Sequence, residues 1–364
     1  MSVCVPSQTL AAAPSMTGRE PLPPPHGADV RLGPLRPMLR VLRDLRHDPA
    51  MVLAPAGLEV VAFDNPERRI PFSVAADLIR RGAALCGRED FGLLVGEQFG
   101  VDDLGLLGQL MWRARTVGEA LQDLNRFLHV QDRGSVTFVR PGADDTVSLG
   151  YSILDADTPG AALVYDLTMA IGMRLLRDLA GPGFQAIEVW LPHGTPQRTT
   201  AYRRVFGAAL QFDAPRAEIH FDARWLRLPV AGADAAQHEL VQRAIREAEG
   251  RVVRGLASRT RAAVRVLLMV GNASSSRIAD AMGLHERTLR RRLASEGESL
   301  QQVVAQARFD IARHLLRETR LGLDDIADAL GYAEAAVFVR SFKAWSGTTP
   351  KRWRSQSLAG DAAP

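Results

Sequence analysis

Six residues occur twice in this chain, almost unchanged. Ile278–Gly283 reads IADAMG and Ile326–Gly331 reads IADALG, identical at five of six positions and 48 residues apart. Each copy precedes a turn and then a segment with apolar residues four apart, Leu289 and Leu293 in the first and Phe338 and Phe342 in the second. The second copy carries one extra residue in its turn, so later equivalences shift to 49. This pattern predicts two helix-turn-helix units. Ile278, Ala279 and Met282 face inward from the first helix, small Ala279 lets the second helix cross closely, and Gly283 and Gly331 supply the positive-φ turn.

The first unit presents arginine. At 100° per residue from Leu289, the outward positions of its second helix are Arg287 and Arg291, flanked by Thr288 and Arg290, with Glu286 ahead of them. Guanidinium groups on that edge suit guanine edges and phosphates. A solvated helical face is the competing reading for Glu286–Arg292, and the repeat around it favours DNA. The second unit is barer. Its outward positions are Ala336, Arg340 and Lys343, beside Ala335, so it is expected to dock and hold phosphates, with Ala336 against a thymine methyl. Most base discrimination is therefore expected from Arg287, Thr288, Arg290 and Arg291.

Charge is divided accordingly. Residues 255–357 hold 17 Lys and Arg against 10 Asp and Glu, a net of +7, which leaves −3 for the rest of a chain whose total is +4. A basic module joined to a mildly acidic one suggests that one of them meets a polyanion. The 364-residue length fits two domains. Before the repeat the periodicity is mixed. Pro37–Arg46 and Pro71–Leu85 read as helices. Gly92, Gly96 and Gly100 stand four apart in FGLLVGEQFG, a smooth strip for close helix packing, since no Gly-Lys-Ser/Thr follows to make a phosphate loop. Thr116 and Glu119 form a capping pair ahead of a helix. SVTFVR and TVSLGYSI read as a hairpin, a long helix follows over Pro159–Leu179, AIEVWLP is a strand, Thr199–Phe206 a helix and AEIHFD a strand. Beyond Val230 strand signals vanish. The expected layout is a flexible leader over 1–34, an α+β sensing and dimerisation domain over 35–230, a linker helix over 231–258, an all-α domain with two helix-turn-helix units over 259–356, and a tail over 357–364.

At the C-terminal end the residues resemble the AraC/XylS family of transcription regulators. The most specific stretch is IADALGYAEAAVFVRSFKAWSGTTPKRWR, with Gly331-Tyr332, Phe338, Arg340, Phe342-Lys343, Gly347, Pro350 and Arg354, preceded by Arg308, Ala312, Leu315 and Leu316 of a connecting helix. The resemblance implies two units in successive major grooves about 34 Å apart. It also implies phosphate contacts from Lys351, Arg352 and Arg354, a core position for Trp353, and RNA polymerase as a partner of an activator. Two positions depart from the family pattern. His285 and Ala333 stand where Ser or Thr usually caps each recognition helix, and a lost cap costs on the order of 1 kcal/mol. Upstream, FGLLVGE, DLGLLGQL and ARTVGEALQDLNRFL resemble a sensor domain of this family that carries an arabinose-binding label. The label names no ligand here, so the expected effector is a small molecule of unknown identity.

Other chemistry is sparse. No run approaches the roughly 18–20 apolar residues of a membrane helix, and the start lacks a secretory pattern, so the cytoplasm is expected. Cys4 and Cys86 are the only cysteines, too few for a disulfide framework or a cysteine zinc site. No HExxH or GxSxG occurs, so no cofactor, metal or catalytic residue is expected and the chain reads as a regulator rather than an enzyme. His193 and His220 lie beside strands and are expected to be structural before they are pocket residues, and Cys86 is expected to be a buried thiol. The alternatives are a constitutive DNA-binding protein whose first domain only dimerises, and an enzyme fused to a DNA-binding module. A homodimer is left open.

Overall fold

The computed structural model describes residues 28–250, 255–271 and 273–360, with side chains for 28–247, 255–271 and 273–357. Most of the expected leader lies outside the described residues, but its end does not behave as one. Asp29–Arg31 forms strand β1, antiparallel to β2 (Arg69–Pro71). Val30 and Leu32 are buried there, which explains why the segment is held. Between these strands lie α1 (Arg36–Asp44) and α2 (Ala50–Leu53).

Four helices follow, α3 (Phe72–Cys86), α4 (Phe91–Glu97), α5 (Leu106–Arg113) and α6 (Val117–Gln131). The Thr116 hydroxyl accepts from the Glu119 amide at 3.2 Å while Glu119 accepts from the Arg115 amide at 2.7 Å, so α6 begins where the capping pair predicts. The glycine strip is real for two of its three members. A Cβ on Gly92 or Gly96 would collide with the backbone carbonyl of Leu163 or Leu167 on the helix opposite. Gly100 lies past the end of α4, in extended backbone where a Cβ would make only an ordinary contact with the Asp103 carboxylate at 3.8 Å.

The main sheet has five strands, in the spatial order Ser135–Pro141, Thr146–Ile153, Ala217–Asp222, Glu188–Trp190 and Ala209–Gln211. The hairpin β3 (Ser135–Pro141) and β4 (Thr146–Ile153) leads into α7 (Ala161–Ala180), then β5 (Glu188–Trp190), α8 (Thr200–Phe206), β6 (Ala209–Gln211) and β7 (Ala217–Asp222). Pairing is antiparallel except between β5 and β6. The register sets Thr137 beside Tyr151 and Phe138 beside Gly150. Strand side chains alternate between faces, so Thr137, Leu149 and Tyr151 share one face with Ile219 of β7, and Phe138, Gly150 and Ser152 share the other. Helix α7 covers the first face, with Gly172 against Ile219 and Leu149.

Beyond the sheet every element is a helix: α9 (Ala235–Gly250), α10 (Leu256–Met269), α11 (Ser275–Ala281), α12 (Glu286–Ser295), α13 (Leu300–Glu318), α14 (Leu323–Ala329), α15 (Ala335–Ser346) and α16 (Pro350–Gly360). The architecture is α+β followed by all-α. Two apolar cores match that division, and one residue crosses it: Phe138 of β3 is buried in the core built from α10–α15.

Candidate nucleic-acid interface

Two helix pairs, α11/α12 and α14/α15, flank the long helix α13. Gly283 (φ 63°) and Gly331 (φ 73°) take the left-handed conformation at the two turns, where a Cβ would be strained. Ile278, Ala279 and Met282 are buried, as are Leu289 and Leu293 on α12, so that helix is held by one edge. The other edge faces solvent. Arg287, Arg290, Arg291 and Arg292 are exposed, while Glu286 and Thr288 are half-buried. Glu286 holds Arg290 at 2.5 Å, one turn on. Among the described residues Arg287, Arg291 and Arg292 have no protein partner.

The cap of α12 is a correction to the sequence expectation. His285 is its N-cap, and the Nδ1 atom accepts from the Arg287 amide at 3.3 Å. An imidazole lone pair thus stands in for the hydroxyl that the family pattern leads one to expect. At the second unit the cap position is Glu334, one residue beyond Ala333, because the extra turn residue moves the helix start; no side chain caps it.

On α15 Phe338 and Phe342 are fully buried, Ala335 is half-buried, and Ala336, Arg340 and Lys343 are exposed. Rings of Phe309, Phe338, Phe342 and Trp353 meet edge to face at 5.3–6.1 Å, which packs half-buried Trp353 against the core. Arg308 of α13 lies over the Tyr332 ring at 4.9 Å and so ties the connecting helix to the second turn. Helix α16 packs on α15 and α13 and carries Lys351 and Arg352 exposed. Arg354 differs from expectation. Its guanidinium donates through Nε to the carbonyl of Leu316 (3.1 Å) near the end of α13 and through Nη2 to that of Leu321 (2.7 Å) just beyond it, so this face of the group is turned into the protein.

The chain matches two family models, the arabinose-binding N-terminal domain of AraC transcription regulators over residues 47–230 and a helix-turn-helix domain over 278–356. The chain belongs to the AraC family of transcription regulators. Like its relatives, this AraC-family chain is a DNA-binding transcription regulator. It is 28% identical to the HTH-type transcriptional regulator VirS of Mycobacterium tuberculosis, over 86% of this chain and 93% of that one. It is also 28% identical to the ornithine utilization regulator of Pseudomonas aeruginosa, over 80% and 86%. The crystal structure of the transcriptional regulator CdpR from Pseudomonas aeruginosa is 25% identical, covering 89% of this chain and 98% of that one with a TM-score of 0.46.

Among the described residues no helix is long and apolar enough to cross a membrane, and no group of three His, Cys, Asp or Glu is placed to hold a metal. His193 is buried, with Nε2 3.0 Å from Asp166 and Nδ1 2.9 Å from the Gly194 carbonyl. Burial works against its charge, yet Asp166 outweighs that and holds it above the usual histidine range. His220 lies 3.1 Å from Glu218. Cys86 is half-buried rather than buried, and desolvation still raises its thiol.

Sequence reasoning missed Arg265 of α10. It is 3% exposed and donates to the Ser152 hydroxyl (3.0 Å), the Ile153 carbonyl and the Ala307 carbonyl (3.1 Å). One side chain therefore joins β4 to both α10 and α13. The available signal was a lone arginine inside the apolar run Val264–Met269, on the edge that Val264 and Leu268 bury.

Proposed function

We propose that residues 259–356 bind double-stranded DNA through both helix-turn-helix units, under the control of a small molecule taken up by the unit spanning about 35–230 and joined through 231–258. The observation that carries this reading is the doubled motif with an unpartnered arginine edge on its first second helix. Helix α12 lies in a major groove, where Arg287 and Arg291 read guanine edges, Thr288 flanks them, and Glu286 orients Arg290. Helix α15 enters the next groove and docks there with Ala335, Ala336, Arg340 and Lys343, adding little base discrimination. Lys351 and Arg352 hold phosphate.

From the family resemblance we adopt activation of transcription through RNA polymerase, in the cytoplasm and without enzymatic turnover. The arabinose label of the family description names no ligand for this chain, and one relative is named for ornithine utilization, so likeness supplies no particular effector. A homodimer is testable by sedimentation.

The test is operator capture followed by titration of the recovered site. Each bidentate guanine contact contributes about 1–3 kcal/mol. Arg287→Ala/Arg291→Ala should therefore weaken specific binding by at least about thirtyfold. Operator mutagenesis should show steeper base preference in the half-site under α12. Retained affinity within about threefold, or equal preference in both half-sites, sinks this assignment of roles.

A further inference from the structure

Between the sheet and helices α3, α6 and α7 lies a cavity of about 120 Å³. At the 10–15 Å³ that a water-sized group requires, it has room for roughly ten non-hydrogen atoms. Its wall is almost wholly hydrocarbon, with Phe72, Ile79, Leu124, Leu149 and Leu167 among the lining. Polar groups are few, and nearly all are engaged within the protein. Gln131 is bonded to Arg31 and the Leu104 carbonyl. Asp132 accepts from the Gly134 amide at 2.7 Å, from the Tyr151 hydroxyl at 3.2 Å and from Ser135. The Thr168 hydroxyl donates to the Val164 carbonyl at 2.9 Å. Thr137 differs. It lines the cavity, is 9% exposed, and its hydroxyl has no hydrogen-bond partner among the described residues.

We propose that this cavity is the effector site and that it takes a mostly apolar molecule of roughly ten non-hydrogen atoms bearing one hydrogen-bonding group, met by Thr137. This rests on the regulator reading above. A pentose fits poorly. Its several hydroxyls would meet one free hydroxyl and a hydrocarbon wall, and each buried group left unpaired weakens binding by roughly tenfold. The arabinose label and this wall therefore disagree, and the wall decides.

The cavity's place in the fold gives it something to control. Strands β3 and β4 are a shared partition, with Thr137, Leu149 and Tyr151 toward the cavity and Phe138 and Ser152 toward the DNA-binding helices. The next two residues along β4, Ser152 and Ile153, are the ones that hold Arg265 of α10. A second line runs through rings: Tyr151 meets Tyr165 at 6.0 Å, and Tyr165 meets His314 of α13 at 5.0 Å. A molecule pressing on Tyr151 thus bears on two of the contacts between the two units.

The experiment uses the full chain, with 2-naphthol, naphthalene and L-arabinose as probes, read by titration calorimetry and by thermal shift, which rises with occupancy. Wild type should bind 2-naphthol at least about fivefold more tightly than naphthalene and leave L-arabinose unbound. Thr137→Val, which keeps the shape, should erase the preference for naphthol over naphthalene. Ala76→Leu, which fills the cavity, should abolish binding of both. Binding of arabinose alone, binding of none of the probes up to their solubility, or unchanged naphthol affinity in Ala76→Leu overturns the proposal. Operator affinity measured on the same preparations separates the two readings. Intact operator binding with no probe binding removes this site and keeps the regulator, whereas naphthol binding without operator binding does the reverse.

Discussion

Replacing Gly92 by alanine sets two physical effects against each other, and the structure says which wins. Gly92 lies inside α4, where alanine in place of glycine favours the helix by about 1 kcal/mol. By local propensity the variant should be more stable. The added methyl, however, points at the Leu163 carbonyl of α7, and a backbone atom cannot swing aside as a side-chain tip can. Overpacking a core typically costs about 1–3 kcal/mol, and a backbone obstacle belongs at the upper end, about 3 kcal/mol. The net expectation is a loss of about 2 kcal/mol. For a unit of this size each kcal/mol moves the midpoint by about 2–4 °C, so melting should fall by about 4–8 °C. Gly96→Ala should behave alike, since its methyl would strike the Leu167 carbonyl. Gly100→Ala is the internal control: only Asp103 comes within reach, at 3.8 Å, and the backbone there suits any residue. Circular-dichroism or calorimetric melts decide the matter. An unchanged or raised midpoint for Gly92→Ala would refute the claim that close approach of α4 to α7 requires these glycines.

Arg354→Ala should destabilise the C-terminal helices by about 1.5–3 kcal/mol, because two carbonyls near and just beyond the end of α13 lose a charged donor, and should leave the salt dependence of DNA binding unchanged. Lys351→Ala and Arg352→Ala should do the opposite, each reducing the slope of log affinity against log salt by about one with little effect on melting. The pH dependence of stability carries two opposed contributions from α13. Burial, with Arg317 and Arg265 nearby, pushes His314 down to about 3, so its contribution is present above about 6.5 and is lost as pH falls. Burial lifts Asp310 to about 6 despite Arg265, so its contribution is present below 3.8 and is lost as pH rises through 6. Between about pH 6 and 4 the two offset one another. Asp310→Asn should therefore lose about 2 kcal/mol more than wild type over that interval in denaturant titrations, and parallel curves would contradict the assignment.

Local pattern carried a reader far in this chain. The repeat at Ile278 and Ile326, the turn glycines, the aromatic pair on α15 and the capping pair at Thr116 each specify their own structure within a few residues. Their spacing within one helix or one turn marks the buried edge or the cap, so composition and periodicity are enough to read them, even where, as for the aromatic pair, the partners lie on other helices. The same holds for the β3–β4 hairpin, whose turn and alternation are contiguous. Even the arginine edge of α12 follows from helical geometry once Leu289 and Leu293 are taken as buried.

Long-range closure decided the rest. Strands β1 and β2 are three residues each and pair across some forty positions, too short to show periodicity and dependent on burial of Val30 and Leu32. Arg354 looked like one more basic residue on a basic helix until its donors were found on two carbonyls more than thirty residues away. Arg265 owes its role to Ser152 and Ile153, over a hundred positions earlier, and Thr137 owes its orphaned hydroxyl to helices that fold over it from three directions. By itself the sequence determined the helices, the doubled motif and the outward arginines, because those are properties of short segments. Only the tertiary structure decided which polar groups are already spent, where a cavity remains, and that its wall is also the wall of the DNA-binding unit, because burial and hydrogen-bond satisfaction depend on every segment at once.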